Sequence, residues 1–206
     1  GITDPANNSR LATVITKAKA ANMPNDNIKR TIDKALGAGS TDSFEKVVYE
    51  GYGPSGVAVI VEALTDNRNR TAPEVRHLFD KYGGNMGASG CVSWSFDRKG
   101  VIVIDNEDDD LDEDEVMMEV LDAGADDFEP DGETFVVYTA PDDVSPVAEK
   151  ISAAGYKLLS AQVEMLPQNG YIKLTNEDDI KNMQKMLDMF EDNDDVQNVW
   201  HNWEND

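Results

Sequence analysis

Three arginines stand close together where the sequence changes from a strand pattern to a helix pattern. Arg68, Arg70 and Arg76 lie within nine residues, and the capping-box spacing of Thr71 and Glu74 predicts a helix that begins at Thr71. A helix N-terminus attracts anions and guanidinium groups match phosphate oxygens, so this segment predicts a phosphate-binding site. The alternative is local pairing with carboxylates, which contributes about 0–1 kcal/mol for each exposed pair. Those pairs would be Arg68–Asp66, Arg70–Glu74 and Arg76–Asp80.

A second group of basic residues lies on two predicted amphipathic helices near the N-terminus. Apolar residues recur at helical spacing in residues 9–21 and again between Pro24 and Gly37, which bracket a helix. The basic side chains predict a second contact with nucleic-acid phosphates, and the alternative is a solvated helix face with ion pairs four residues apart. These basic residues are Lys17, Lys19, Lys29, Arg30 and Lys34.

The sequence holds few residues of the types that enzymes use. It has two histidines and one cysteine, Cys91, whose apolar surroundings favour a core position over a nucleophilic role. No Cys/His cluster offers a zinc site. The acidic run 105–115 lacks the spacing of a calcium loop, and the glycine-rich residues 83–90 lack the ending of a P-loop and predict a flexible turn. We therefore expect no catalytic residue, no metal ion and no cofactor.

Charge is distributed unevenly along the 206 residues. The formal net charge is -23, with 13 basic and 11 acidic residues in 1–99 but 5 basic and 30 acidic residues in 100–206. A polyanionic partner should therefore meet the N-terminal half, while the acidic half favours solubility. The single cysteine, the lack of long apolar runs and the lack of a signal-peptide pattern predict a cytosolic or organelle-matrix setting with no membrane partner. Of the two we expect a cytoplasmic protein.

The spacing of apolar residues predicts an α+β fold with three domains. Residues 1–43 predict an N-terminal helical domain that ends in a linker. Residues 44–99 and 168–206 predict one discontinuous α/β domain. Residues 100–167 show the order β-α-β-β-α-β, which predicts an inserted, acidic ferredoxin-like domain.

Two further patterns concern the predicted core and the inserted domain. Five methionines at helical spacing predict core positions. They are Met117, Met118, Met183, Met186 and Met189. An RNA-recognition module on a ferredoxin-like sheet needs aromatic residues on its central strands beside basic residues. The first strand here is VIVID and its surroundings are acidic, which argues against that module.

Three segments together resemble the YebC/PmpR family, which includes the mitochondrial translational activator of cytochrome c oxidase subunit I. They are residues 8–35, residues 49–100, and the strand YIKL with the acidic helix after it. The resemblance covers essentially the whole chain and implies three domains, with the last inserted into the middle one. Family chains usually open with a basic segment similar to AGHSKWANIKHRK. This sequence starts after that segment, at GITDP, so we expect an N-terminally trimmed chain.

The resemblance also implies a role in gene expression. Some family members are named DNA-binding transcriptional regulators, others act in translation, and bacterial members are implicated in relieving ribosome stalls at proline-rich nascent sequences. We expect a non-enzymatic, monomeric translation factor that binds rRNA on the ribosome through the eight basic residues named above and takes no small-molecule substrate. A DNA-binding transcriptional regulator is the alternative. A protein-interaction module that uses its acidic face is a third possibility.

Overall fold

A computed structural model describes residues 11, 14, 15, 18, 19, 23–37, 44–107 and 111–205, except the side chains of residues 33–37. The chain splits into two units, residues 1–45 and residues 46–206. In the first unit, residues 11, 14, 15, 18 and 19 are helical and helix α1 spans Asn25–Gly37. The Pro24 carbonyl accepts the N–H of Asn27 at 2.9 Å, so α1 begins where the proline predicts it.

From residue 45 onward, the described part of the chain contains four α-helices and ten strands. The helices are α2 Arg68–Lys81, α3 Glu113–Ala123, α4 Val144–Ala153 and α5 Glu177–Glu191. The first strands are β1 Glu45–Tyr52, β2 Ala58–Thr65, β3 Asn85–Met86 and β4 Phe96–Asp105. The later strands are β5 Asp127–Asp131, β6 Thr134–Thr139, β7 Leu158–Pro167, β8 Ile172–Lys173, β9 Val196–His201 and β10 Trp203–Glu204.

The first sheet joins two parts of the chain that are far apart in sequence. Its strand order is β3-β1-β2-β9, and β9 pairs antiparallel with β2 from Val59↔His201 to Ala63↔Val196. A Cβ atom at Gly51 would lie 2.5 Å from the Asn85 carbonyl oxygen, so glycine is required where β1 and β3 approach. The C-terminal segment thus completes a sheet that residues 45–86 begin.

The second sheet has the predicted ferredoxin-like topology. Its order is β5-β6-β4-β7 and every neighbouring pair is antiparallel. Where the sequence predicted separate strands in 91–99 and 101–105, the structure has a 3₁₀ turn at Ser93–Ser95 and then the single strand β4. The long partner β7 pairs with β4 from Phe96 to Ile104, which keeps β4 continuous. The α+β fold class is confirmed, while the domain boundaries stay predictions, and that between residues 99 and 100 falls inside β4.

Apolar clusters lie on both faces of the first sheet. Helices α2 and α5 cover one face, where the rings of Phe79 and Phe190 meet edge to face with centroids 5.2 Å apart. Ile60, Val92 and Phe96 form a smaller cluster on the other side. The side chains of α3 and α4 form the core of the second sheet. Burial of this kind stabilises the fold by roughly 25 cal/mol for each Å² of apolar surface.

The five methionines do not share one environment. Met183 and Met186 are fully buried, as predicted, whereas Met117, Met118 and Met189 are 37%, 61% and 37% exposed. The core prediction was wrong for these three because helical spacing does not say which side of a helix faces inward. On α3 the valines and Ala123 occupy the buried side.

Candidate nucleic-acid interface

Helix α2 begins at Arg68, and its N-cap lies four residues before the predicted cap. The N-cap residue is Asn67, whose side-chain oxygen accepts the Arg70 N–H at 3.2 Å. Thr71, the predicted cap, is fully buried and its hydroxyl donates toward Asp195 Oδ2, 2.6 Å away. The capping-box prediction was wrong because this hydroxyl is used in the interior and cannot cap the helix. Arg68 and Arg70 therefore lie in the first helical turn and not in a preceding loop.

Arg70 is held by two carboxylates. Its Nη2 atom lies 2.8 Å from Asp195 Oδ2, 3.0 Å from Asp195 Oδ1 and 3.1 Å from Asp66 Oδ1. Hydrogen bonds from Arg70 and then Thr71 hold the pKa of Asp195 below its ordinary value. The same Asp195 contact raises the pKa of Arg70. Arg70 thus ties the start of α2 to the residue before β9. The prediction that Arg70 pairs with Glu74 was wrong, since its partners are Asp66 and Asp195.

Arg68 and Arg76 differ from Arg70. Both are exposed, and neither forms an ion pair with a carboxylate in the part of the chain that the structure describes. At 3.6 residues per turn they lie roughly 80° apart around α2, whereas Arg70 lies roughly 160° from Arg68. The structure therefore brings Arg68 and Arg76 toward one side of the helix and leaves Arg70 on another.

The first turn of α2 has an unusual charge. It holds no acidic residue, although unpaired N–H groups make a helix N-terminus partly positive, and a cation there is unfavourable by about 0.3–1 kcal/mol. Asp66 and Asp195 offset this for Arg70. No described carboxylate does so for Arg68, so its side of the helix N-terminus presents a positive site suited to a phosphate or another anion.

The other predicted basic residues belong to the first unit. Lys29 and Arg30 are exposed on α1, next to the buried Ile28, and Lys19 is exposed on the preceding helical segment. Lys17 lies outside the described residues, as does the side chain of Lys34. Taken by itself, α1 therefore presents at least Lys29 and Arg30 to solvent, which leaves them available to a polyanion.

Sequence reasoning missed the role of Glu50, which anchors the glycine-rich segment. This side chain is 5% exposed, and its carboxylate accepts the N–H groups of Gly90, Val92 and Ser93 at 2.7, 3.0 and 2.8 Å. Burial raises the pKa of Glu50, but the three N–H groups together lower it below its ordinary value. The signal in the sequence was an acidic residue within an apolar strand. The predicted flexible turn is thus an anchored loop.

Cys91 and His201 are two further described side chains of types that enzymes use. Burial and the neighbouring Glu50 raise the pKa of the Cys91 thiol, which favours its protonated form. Burial lowers the pKa of His201, whose Nδ1 accepts the Trp203 N–H at 3.2 Å. Among the described residues there is no group of three or more His, Cys, Asp or Glu placed to bind a metal ion. No described helix is long and apolar enough to span a bilayer.

Comparison with known proteins identifies similar chains. Residues 1–38 match the TACO1/YebC protein N-terminal domain, and residues 44–203 match the TACO1/YebC second and third domain. A probable transcriptional regulatory protein of Acetivibrio thermocellus is 58% identical over 97% of this chain and 82% of its own length. One of Finegoldia magna is 54% identical over 100% and 84%. The crystal structure of a conserved hypothetical protein from Aquifex aeolicus superposes with a TM-score of 0.84 at 43% identity, covering 99% of this chain and 83% of that one.

Proposed function

Because the chain belongs to the TACO1/YebC family, we propose that it is a non-enzymatic regulator of gene expression that binds nucleic acid. The names of its relatives in Acetivibrio thermocellus and Finegoldia magna, probable transcriptional regulatory proteins, support the regulatory part of this proposal. The nucleic-acid part is supported by the charges on α2.

The observation that carries the proposal is the exposed, unpaired Arg68 in the first turn of α2. A phosphate placed there would meet the guanidinium fork and the free N–H groups of the helix end together. Arg76, about two turns further along the same side, would hold a second phosphate of the same backbone. Arg70 then acts as a positioning residue, since its contacts to Asp195 fix the helix that carries the other two.

We further propose that the target is rRNA and that the protein acts on the ribosome, as a cytoplasmic monomer, during synthesis of difficult proline-rich sequences. The resemblance of the sequence to family members that act in translation motivates this choice. The first unit would supply a second set of phosphate contacts through Lys17, Lys19, Lys29, Arg30 and Lys34. The 30 acidic residues after position 99 would repel nucleic acid elsewhere on the surface and limit indiscriminate binding.

Co-sedimentation with purified ribosomes tests the proposal. The double variant Arg68→Ala/Arg76→Ala should bind several-fold more weakly, and the slope of log K against log salt should fall by about one for each lost phosphate contact. Lys181→Ala/Lys185→Ala removes the same charge from exposed positions on α5 and should leave binding unchanged. Equal binding by wild type and the arginine variant would remove α2 from the interface.

A DNA-binding transcriptional regulator is the second candidate, and the names of the relatives favour it. Competition separates the two functions. Ribosome binding that excess duplex DNA does not displace supports the translation role. Absence of ribosome binding, together with tight binding to a defined promoter duplex that survives non-specific competitor, supports the transcription role.

A further inference from the structure

The 3₁₀ turn Ser93–Ser95, which follows the glycine-rich residues 83–90, presents an aromatic side chain that belongs to none of the apolar clusters. Among the described residues, Trp94 is the most exposed large hydrophobic side chain, at 68%. It lies in a run of fourteen residues, 83–96, that contains no charged side chain, in a chain with 41 acidic residues. A single exposed apolar residue is normal on a protein surface, whereas apolar side chains exposed next to each other often mark a binding site.

Trp94 is held in place and does not hang freely from the loop. The buried Glu50 carboxylate accepts three N–H groups at positions 90, 92 and 93, and the Glu50 carbonyl accepts the Gly87 N–H at 2.8 Å. These bonds fix the loop on both sides of its exposed tip and immediately before Trp94. A fixed aromatic ring loses little conformational entropy when a ligand stacks on it.

The polar atoms of the aromatic side chains are already satisfied within the protein. The Trp94 indole N–H donates to the Cys91 carbonyl oxygen at 2.9 Å, and the Tyr52 hydroxyl donates to the same oxygen at 3.1 Å. Tyr52 is itself 37% exposed. The polar ends of the two rings are therefore next to each other, and the surface that remains for a ligand is ring face.

We propose that Trp94, with Tyr52 beside it, is a stacking platform for an unpaired base of single-stranded nucleic acid. This inference rests on the proposed nucleic-acid binding and specifies the chemistry of one contact. Ring faces stack on any base, which makes such a contact tolerant of sequence. The buried Glu50 carboxylate, which holds the loop from β1, is already occupied by three backbone N–H groups.

The charges that flank this segment in the sequence favour a nucleotide over a peptide as the ligand. In the sequence Lys81 precedes the uncharged run, and its ammonium lies 5.1 Å from the centre of the Tyr82 ring. The exposed Arg98 follows the run, and Lys99 after it lies over the Tyr138 ring of the second sheet at 5.7 Å. The intervening Asp97 accepts a hydrogen bond from the Gln168 amide. Basic side chains at both ends of a neutral aromatic segment match the alternation of phosphates and bases along a single strand. A proline-rich peptide would stack on the same rings but would gain nothing from these cations.

Binding of a fluorescein-labelled 20-nucleotide oligoadenylate RNA tests the inference, with a 20-base-pair duplex and a decaproline peptide as comparison probes. Trp94→Ala should weaken binding of the single strand by at least about fivefold, and Trp94→Phe should keep most of the wild-type affinity. For Trp94→Ala the slope of log K against log salt should equal that of wild type, because no phosphate contact is lost. Leu159→Ala removes another exposed apolar side chain, 55% exposed on β7, and should bind like wild type.

Each outcome has a definite consequence. Wild-type binding to RNA that Trp94→Ala leaves unchanged would overturn the stacking platform and leave the proposed function standing. Tight binding to the duplex without binding to the single strand would also overturn the stacking platform and leave the proposed function standing. Binding of decaproline but not RNA, dependent on Trp94, would assign the platform to a peptide and overturn the inference. Failure of the wild-type chain to bind any nucleic acid would overturn both proposals. Quenching of Trp94 fluorescence by oligoadenylate, absent from Trp94→Phe, would support stacking directly.

Discussion

Carboxylates have different roles in the two sheets. In the first sheet Glu50 and Asp195 lie mostly out of solvent and accept several hydrogen bonds each, from backbone N–H groups in one case and from Arg70 and Thr71 in the other. In the second sheet α3 carries five acidic side chains and no basic one, and all five are exposed. The same residue type therefore holds a loop and a helix in place in the first sheet and supplies surface charge on α3. In the second sheet Asp105 differs from the acids of α3, since its side chain is 11% exposed and pairs with Lys157.

The helices α2 and α3 differ in the same way at their first turns. Helix α3 begins with three acidic residues and an Asp112 cap that accepts the Glu115 N–H at 3.0 Å, which suits the positive end of the helix dipole. Helix α2 begins with arginines instead. A local rule that is obeyed in one helix and broken in the other points to function at the helix that breaks it.

Glu50→Ala should have the largest effect on stability. Three N–H groups would lose their acceptor, and each buried, unsatisfied group costs about 1–3 kcal/mol. Because Gly90 and Ser93 are partly accessible to water, we expect a total loss of about 3 kcal/mol in the free energy of unfolding. Urea denaturation measures it. Ser89→Ala, exposed in the same loop, should change stability by less than about 0.5 kcal/mol. Similar values for the two variants would show that the loop is not anchored through Glu50.

Asp195→Ala should have an intermediate effect. It removes the bonds to Arg70 and Thr71, but Arg70 is 45% exposed in its side chain, so we expect a loss of about 1–2 kcal/mol. Because the folded pKa of Asp195 is lowered, its contribution is present above the ordinary Asp pKa and is lost as the pH falls through the folded value. Denaturation midpoints of wild type and variant should therefore converge in acid. Asp66→Ala, which removes only the exposed pair, should cost less than about 0.5 kcal/mol. A larger loss for Asp66→Ala than for Asp195→Ala would reverse the assignment.

Neutralising α3 should have the smallest effect. Asp122 lies near the C-terminal end of α3, where a negative charge is unfavourable, and no basic residue is present in that turn. Glu119→Gln/Asp122→Asn should raise stability by no more than about 0.5 kcal/mol. Non-specific nucleic-acid binding should strengthen slightly at low salt and return to the wild-type value at high salt. A loss of stability above 1 kcal/mol would mean that these acids have structural partners, and the contrast between the two sheets would fail.

Local patterns in the sequence were sufficient to predict most of the architecture. Alternation and helical spacing depend on neighbours within one strand or helix, so the β-α-β-β-α-β order of the second sheet was predicted correctly. The start of α2 was predicted incorrectly. Thr71 and Glu74 satisfy a local capping rule, but the hydroxyl of Thr71 is hydrogen-bonded to Asp195, which is far away in sequence. The prediction that all five methionines are buried failed for a similar reason, since the inward side of a helix depends on what packs against it.

By itself, the sequence determined the uneven charge, the order of helices and strands, and the presence of three arginines near one helix start. Only the tertiary structure decided which arginines are available. Arg70 pairs with Asp195, 125 residues away, whereas Arg68 and Arg76 have no such partner among the described residues. It also decided that Glu50 holds a loop 40 to 43 residues further along and that Trp94 faces solvent. Ion pairs and exposure depend on distances in space, and the fold brings together residues that the linear order keeps apart.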